Sequence, residues 1–230
     1  MATISINLSG LSQLKKDIEK ASKQWVKVGV LAGATYPDGT PVSDVAQYLE
    51  YGWTQKEVTK KQLGYLWAHG AHIGRNAVLN MPPRPIFRAT AEAKRAKWIR
   101  LGINNLKGID ESNALNKITK TLLLLGMVAQ EDIQDTIQNG GTGSVSFALR
   151  SPMTIAMYGH AINAEGHKLD DTPNQSTTLK PLYRSGLLSS SIVFNIENSG
   201  ISSQEQESQD GKALKAFTSS KEYKTAQGIY

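Results

Sequence analysis

The stretch NALNKITKTLLLLGMVAQEDIQDTIQ, Asn113–Gln138, decides how the rest of the chain is read. Leu115, Ile118, Leu122, Leu125, Ala129, Ile133 and Ile137 recur every three or four residues, so they share one stripe of a long helix. Gly140-Gly141 ends it. Its longest apolar run, Leu122 to Leu125 and on to Val128, is far below the roughly 18 residues a membrane span needs. The expectation is a helix packed inside a soluble protein. The segment before it, Phe87 to Leu106, reads as a second long helix. At 3.6 residues per turn, Ala91, Trp98, Ile99, Gly102, Ile103 and Leu106 fall on one arc, expected to face the core. Lys94, Lys97, Arg100 and Lys107 fall on the other.

Moving outward, Met81-Pro82-Pro83-Arg84-Pro85 forbids a regular helix and fixes an extended entry into the second helix. Ile4, Ile6 and Leu8 alternate with polar residues as in a strand with one buried face. Leu11, Leu14, Ile18 and Ala21 then mark a short helix. Val26, Val28 and Val30 alternate again, Pro37-Asp38-Gly39 is turn chemistry, and Val42, Val45 and Leu49 lie on one face of a helix stopped at Tyr51-Gly52. Ile192, Phe194 and Ile196 mark a last strand. From Trp53 to Asn80 no period persists, which predicts a long loop. Gly140 to Thr178 is turn-rich, with an apolar patch from Met153 to Tyr158. These elements predict an α+β fold, a small and largely antiparallel sheet with two long helices packed on one face. The organisation expected is a single domain over 1–196, with 54–80 as a loop excursion, followed by a polar tail or partner-binding arm over 197–230.

Composition narrows the function. With no cysteine in 230 residues, disulfides and thiolate metal sites are excluded. The N-terminus lacks the basic and then apolar pattern of a secretory signal, so assembly in the cytoplasm is expected. Seven basic residues and one acid lie between Arg84 and Lys107, enough to account for the whole net charge of +6. Such a stripe suits duplex DNA, an acidic protein surface or water. Beyond Phe87 at its start, its one aromatic is Trp98, which is expected to turn inward, and this argues against stacking on single-stranded bases.

Candidate chemistry is sparse. His69 and His72 have a spacing that would fit one metal, but glycines at 64, 70 and 74 oppose a helix and no third ligand is near, so a polar loop is expected. Gly140-Gly141-Thr142-Gly143-Ser144 follows a helix instead of a strand and lacks the lysine of a phosphate-binding loop. Asp170-Asp171 lacks the ligand spacing of a calcium loop. No Gly-x-Ser-x-Gly elbow and no carboxylate cluster for two metals is present. The expectation is a protein that is not an enzyme, with no catalytic residue, metal or cofactor.

Four blocks, taken in order, carry a resemblance: ISINLSGLSQLKKDI (Ile4–Ile18), DVAQYLEYGW (Asp44–Trp53), MPPRPIFRAT (Met81–Thr90) and KPLYRSGLLSSSIVFNI (Lys180–Ile196). Together they resemble the neck and tail-completion family of minor virion proteins of tailed bacteriophages. The chain departs from that pattern at Arg184 and Ser185, where the family usually has an acidic residue and threonine, and in the length of Trp53 to Asn80. The resemblance implies a structural subunit of a homo-oligomeric ring. That ring would stack between head-completion or connector proteins and tail-terminator or tail-tube proteins, around the channel for genomic DNA. It implies a place in the neck of the virion, and no membrane.

On this reading Glu50, Tyr51, Gly52, Pro83, Arg84, Pro85, Phe87, Lys97, Arg100 and Gly186 are the candidate contacts between subunits or rings. Pro83 and Pro85 would hold Arg84 at a fixed angle with little entropy left to lose on docking. Lys97 and Arg100 are expected to face a neighbouring protein and not the lumen. The aromatics Trp53, Tyr65, Trp67, Phe217, Tyr223 and Tyr230 are expected to anchor contacts made by the loop and the tail. The alternative is a DNA-binding protein that uses the Arg84–Lys107 stripe.

Overall fold

The computed structural model describes residues 9–30, 33–69, 71–110, 112–151, 154, 182 and 186–198. The expected opening strand from Ile4 to Leu8, the Met153–Tyr158 patch, Arg184 and Ser185, and the tail from residue 199 lie outside them, Thr154 excepted. In chain order the elements are α1 (Ser9–Ala21), β1 (Gln24–Val30), α2 (Val42–Tyr51), β2 (Trp53–Gln55), α3 (Lys60–Ala68), β3 (Leu79–Met81), α4 (Ile86–Leu106), α5 (Ala114–Asn139), β4 (Gly141–Thr142), β5 (Val145–Ser146), α6 (Leu187–Ser190) and β6 (Ile192–Asn198). The fold is α+β. Its described strands form three separate two-stranded ladders, β1–β6, β2–β3 and β4–β5, where one sheet was expected.

The chain divides into two compact units, each built from several segments. The first comprises Met1–Gly29, Lys94–Asp132 and Ile192–Tyr230, the second Val30–Ala93 and Ile133–Ser191. The division falls within both α4 and α5.

In the first unit α5 packs on the β1–β6 ladder. Leu123 and Leu124 of α5 and Ile196 of β6 are buried together, with Val26, Phe194 and Leu101 against them. Phe194 and Ile196 sit two apart and so share one face of the strand. Gly126 sets the closeness of this contact, since a Cβ there would lie 2.5 Å from the Phe194 ring and 2.9 Å from a Val26 methyl. On the other face Glu197 takes the Lys27 ammonium at 2.7 Å and the Trp25 indole N–H at 3.1 Å.

The second unit corrects the reading of Trp53–Asn80 as a loop excursion. β2 and β3 pair antiparallel, Trp53 with Met81 and Gln55 with Leu79, and α3 bridges them. Thr59 and Gln62 form a reciprocal cap at the start of α3, with Gln62 N–H donating to the Thr59 hydroxyl and Thr59 N–H to the Gln62 side chain. The Gln62 amide also exchanges hydrogen bonds with Gln55 of β2. Val58, Leu66 and Ala71 are buried here, packed by Leu63, Ile73 and Leu79. This is a small core of its own. Periodicity misses it because three-residue strands and a nine-residue helix are too short to establish a pattern.

The inward arc of α4 is also corrected. Of that arc Trp98, Gly102 and Leu106 are buried or half-buried but Ala91, Ile99 and Ile103 are exposed, and the buried stripe runs instead through Ile86, Thr90, Lys94, Trp98, Leu101 and Asn105. The seam is partly polar. In the second unit the Thr90 hydroxyl bonds the Ile86 carbonyl and the Thr136 hydroxyl of α5. In the first, α5 buries Asp132 against the lysines of α4. A stripe that carries threonine and lysine is invisible to a search for apolar residues alone.

Candidate functional site

α2 ends on Glu50-Tyr51-Gly52, and the proline segment leads into α4 through Pro83-Arg84-Pro85. The second unit brings these two blocks together. Gly52 closes α2 by donating its N–H to the Tyr48 carbonyl at 2.8 Å, with a positive φ of 69°. A Cβ at Gly52 would lie 2.7 Å from the Met81 carbonyl oxygen and 2.8 Å from the Pro83 nitrogen. Only glycine lets the two segments approach so closely. Arg84 N–H then donates to the Leu49 carbonyl at 2.6 Å.

The Glu50 carboxylate is buried at 5% exposure and caps α4 from outside the helix. It accepts the N–H groups of Phe87 (2.9 Å) and Arg88 (3.2 Å), and the Arg88 guanidinium at 2.9 Å. Those two N–H groups belong to the first turn, which has no partner inside the helix, and the helix dipole favours a negative charge there. Arg88 also donates to the Glu50 carbonyl at 2.8 Å and lies over the Tyr51 ring, 5.0 Å from its centroid. Arg84 turns inward, donating to the carbonyls of Ala148 at 3.0 Å and Leu149 at 3.2 Å. Pro85 and Phe87 are half-buried and Pro83 is exposed.

The candidate residues Glu50, Tyr51, Gly52, Pro83, Arg84, Pro85 and Phe87 thus meet in one clamp. Its buried charges are matched within the chain, and what it leaves on the surface is aromatic. Tyr48, Tyr51 and Trp53 are exposed, and so are Tyr65 and Trp67 on α3. Arg88 and Tyr48 belong to this surface and are not among the candidate contacts read from the sequence, although they lie within the MPPRPIFRAT and DVAQYLEYGW blocks. Gly186 adopts φ 73° at the start of α6 with open space where a Cβ would stand, so its left-handed backbone is what favours glycine there.

The first unit holds Lys97 and Arg100. Lys97 donates to both oxygens of Asp132, at 2.8 and 3.0 Å, and the Trp98 indole N–H reaches the same carboxylate at 2.8 Å, with the Lys94 ammonium 3.7 Å away. Asp132 was missed in the sequence reading. Its signal is a charged residue within the apolar stripe, between Ala129 and Ile133. Arg84, Arg88, Lys94 and Lys97, four of the seven basic residues of the stripe, therefore have partners within the chain. That weakens the case for a continuous cationic track along DNA, which needs its cations free for phosphates.

His69 closes α3, with its ring Nδ1 2.8 Å from the Tyr65 carbonyl, and His72 lies beside Trp67. Among the described residues no three potential ligands come together around a metal. No described helix is long and apolar enough to cross a membrane. No family model, curated protein or solved structure matches the chain.

Proposed function

We propose that the chain is a non-catalytic structural subunit that forms a ring in the neck or tail-completion region of a tailed bacteriophage, joining head to tail around the DNA channel. The observation that carries this reading is the clamp. Two of the four blocks of the resemblance converge in space, and they do so as a rigid base that displays Tyr48, Tyr51 and Trp53 together with Arg88. Tyrosine, tryptophan and arginine are the residues most enriched at the energetic centres of protein interfaces. A base held by backbone hydrogen bonds and close glycine packing presents them at little entropic cost. In the assembled neck this aromatic surface meets a neighbouring protein.

The test has two readouts. The purified chain should assemble into closed rings visible by electron microscopy and native mass spectrometry. In the virus that encodes it, deleting the gene should leave heads and tails unjoined. A variant carrying Tyr48→Ala, Tyr51→Ala and Trp53→Ala should stay folded and fail to restore joining, since central aromatic anchors contribute on the order of 2 kcal/mol each. A chain that remains monomeric at every concentration, or particles that join without it, would overturn the reading.

A further inference from the structure

The first unit contains a groove of about 470 Å³ on the α4–α5 pair. Leu101, Leu124 and Val128 form its apolar floor, and Arg100 on α4 and Glu131 on α5 stand on its two sides. Neither of these two charges has an ion-pair partner among the described residues. The groove runs from Lys97 to Asn104 on one helix and from Leu124 to Glu131 on the other. Both spans are seven residue steps, about 10 Å at the rise of an α-helix.

The same unit carries a helix of matching dimensions. α1 has 13 residues, a length at which an isolated helix is marginal in water without packing. Yet Leu11 is 58% and Ile18 47% exposed. These two and Leu14 make a stripe that also spans seven steps. At 100° per residue Lys15 falls on one flank of the stripe and Asp17 on the other. A helix with this polarity, laid in the groove with Asp17 toward Arg100, places Lys15 toward Glu131. Apolar stripe meets apolar floor, and both charged sides are complementary.

We infer that the apolar stripe of α1 docks in the α4–α5 groove of a second copy of this chain. The occupant comes from another copy because no residue of α1 lines the groove of its own chain. The link to β1, only Ser22 and Lys23, leaves α1 little room to move there. The inference rests on the ring-subunit reading, for which it supplies the contact between neighbours. Each copy then offers one helix and one groove, a head-to-tail arrangement of the kind that builds a ring when the rotation between neighbours closes.

The chain has no cysteine, so introduced thiols report without background. Ile18→Cys combined with Val128→Cys, and Leu11→Cys with Val128→Cys as a second geometry, should give a ladder of disulfide-linked multimers on mild oxidation of the assembled full chain. Circular dichroism melts would establish that each variant is folded. Asp17→Arg and Arg100→Asp should each weaken association at least tenfold, and the two together should restore it. Rings that form without a ladder in either geometry, or that ignore both charge reversals, would overturn the inference and leave the ring reading standing. A disulfide formed only within one chain would overturn it too. A folded chain that never associates would overturn both.

Discussion

Glu50 in the second unit and Asp132 in the first are carboxylates buried to nearly the same depth, 5% and 3% exposed, and they are held in different ways. Glu50 is held mainly by the backbone, through two N–H groups in the first turn of α4. Asp132 takes side-chain donors, Lys97 and Trp98, with Lys94 more distant. A backbone amide in a packed helix turn cannot move to water when its acceptor is removed, whereas an ammonium on a flexible stem can. Equal burial therefore does not mean equal cost of removal. The clamp should be the more brittle of the two sites.

The largest effect is expected from Glu50→Ala. It leaves the amides of Phe87 and Arg88 without their acceptor and removes the acid from Arg88. Losing one partner of a buried ion pair costs about 3–5 kcal/mol, and the half-solvated Arg88 places this case toward the lower end of that range. Glu50→Gln keeps an acceptor for one amide and should recover part of the loss. Urea unfolding followed by circular dichroism measures both. A Glu50→Ala variant within 1 kcal/mol of the parent would show that the cap does not hold the clamp together.

Asp132→Ala comes second, at about 1–2 kcal/mol, because Lys94 and Lys97 are 39% and 53% exposed at the side chain and can turn to solvent. Trp98 cannot do so as readily, so its indole N–H resonance should shift. The Trp67 indole, which donates to the Ile73 carbonyl, should stay in place. If Asp132→Ala costs as much as Glu50→Ala, the distinction between backbone and side-chain partners fails.

The two sites also differ in how far the sequence announced them. Glu50-Tyr51-Gly52 and Pro83-Arg84-Pro85 stand out as short blocks because each does something only those residues can do. Gly52 has a positive φ and a close approach, and the prolines fix an extended backbone. That the blocks meet is a tertiary fact, and no local pattern carries it. Asp132 lies in a helix whose apolar stripe was plain, and the long helices made the α+β class legible. The stripe of α4 was only partly legible, since Thr90 and Lys94 lie along it and their burial depends on Thr136 and Asp132 in another helix. The core between β2 and β3 was hidden for another reason. Its signal is the Thr59-Lys60-Lys61-Gln62 cap, a pattern of type and spacing and not of hydrophobicity.

A third carboxylate sharpens the comparison by removing burial from it. Asp110, in the turn between α4 and α5, accepts the Ser112 hydroxyl at 2.6 Å and the Ser112 N–H at 2.9 Å, yet it is fully exposed. The Ser112 hydroxyl is the main cause that holds the Asp110 carboxyl below the ordinary aspartate value, followed by the Ser112 backbone N–H. With the folded value depressed, the stabilisation from these bonds is present above the unfolded value and is lost as pH falls through the folded one. Side-chain carboxyl resonances followed through an acid titration should therefore place the Asp110 midpoint below that of an unstructured aspartate. Ser112→Ala should bring it back toward the ordinary range. Overall stability at neutral pH should hardly change in that variant, because water replaces the lost hydroxyl at an open site. A Ser112→Ala loss comparable to that of Asp132→Ala would mean that hydrogen bonding alone, without burial, sets the cost of disturbing a carboxylate in this protein.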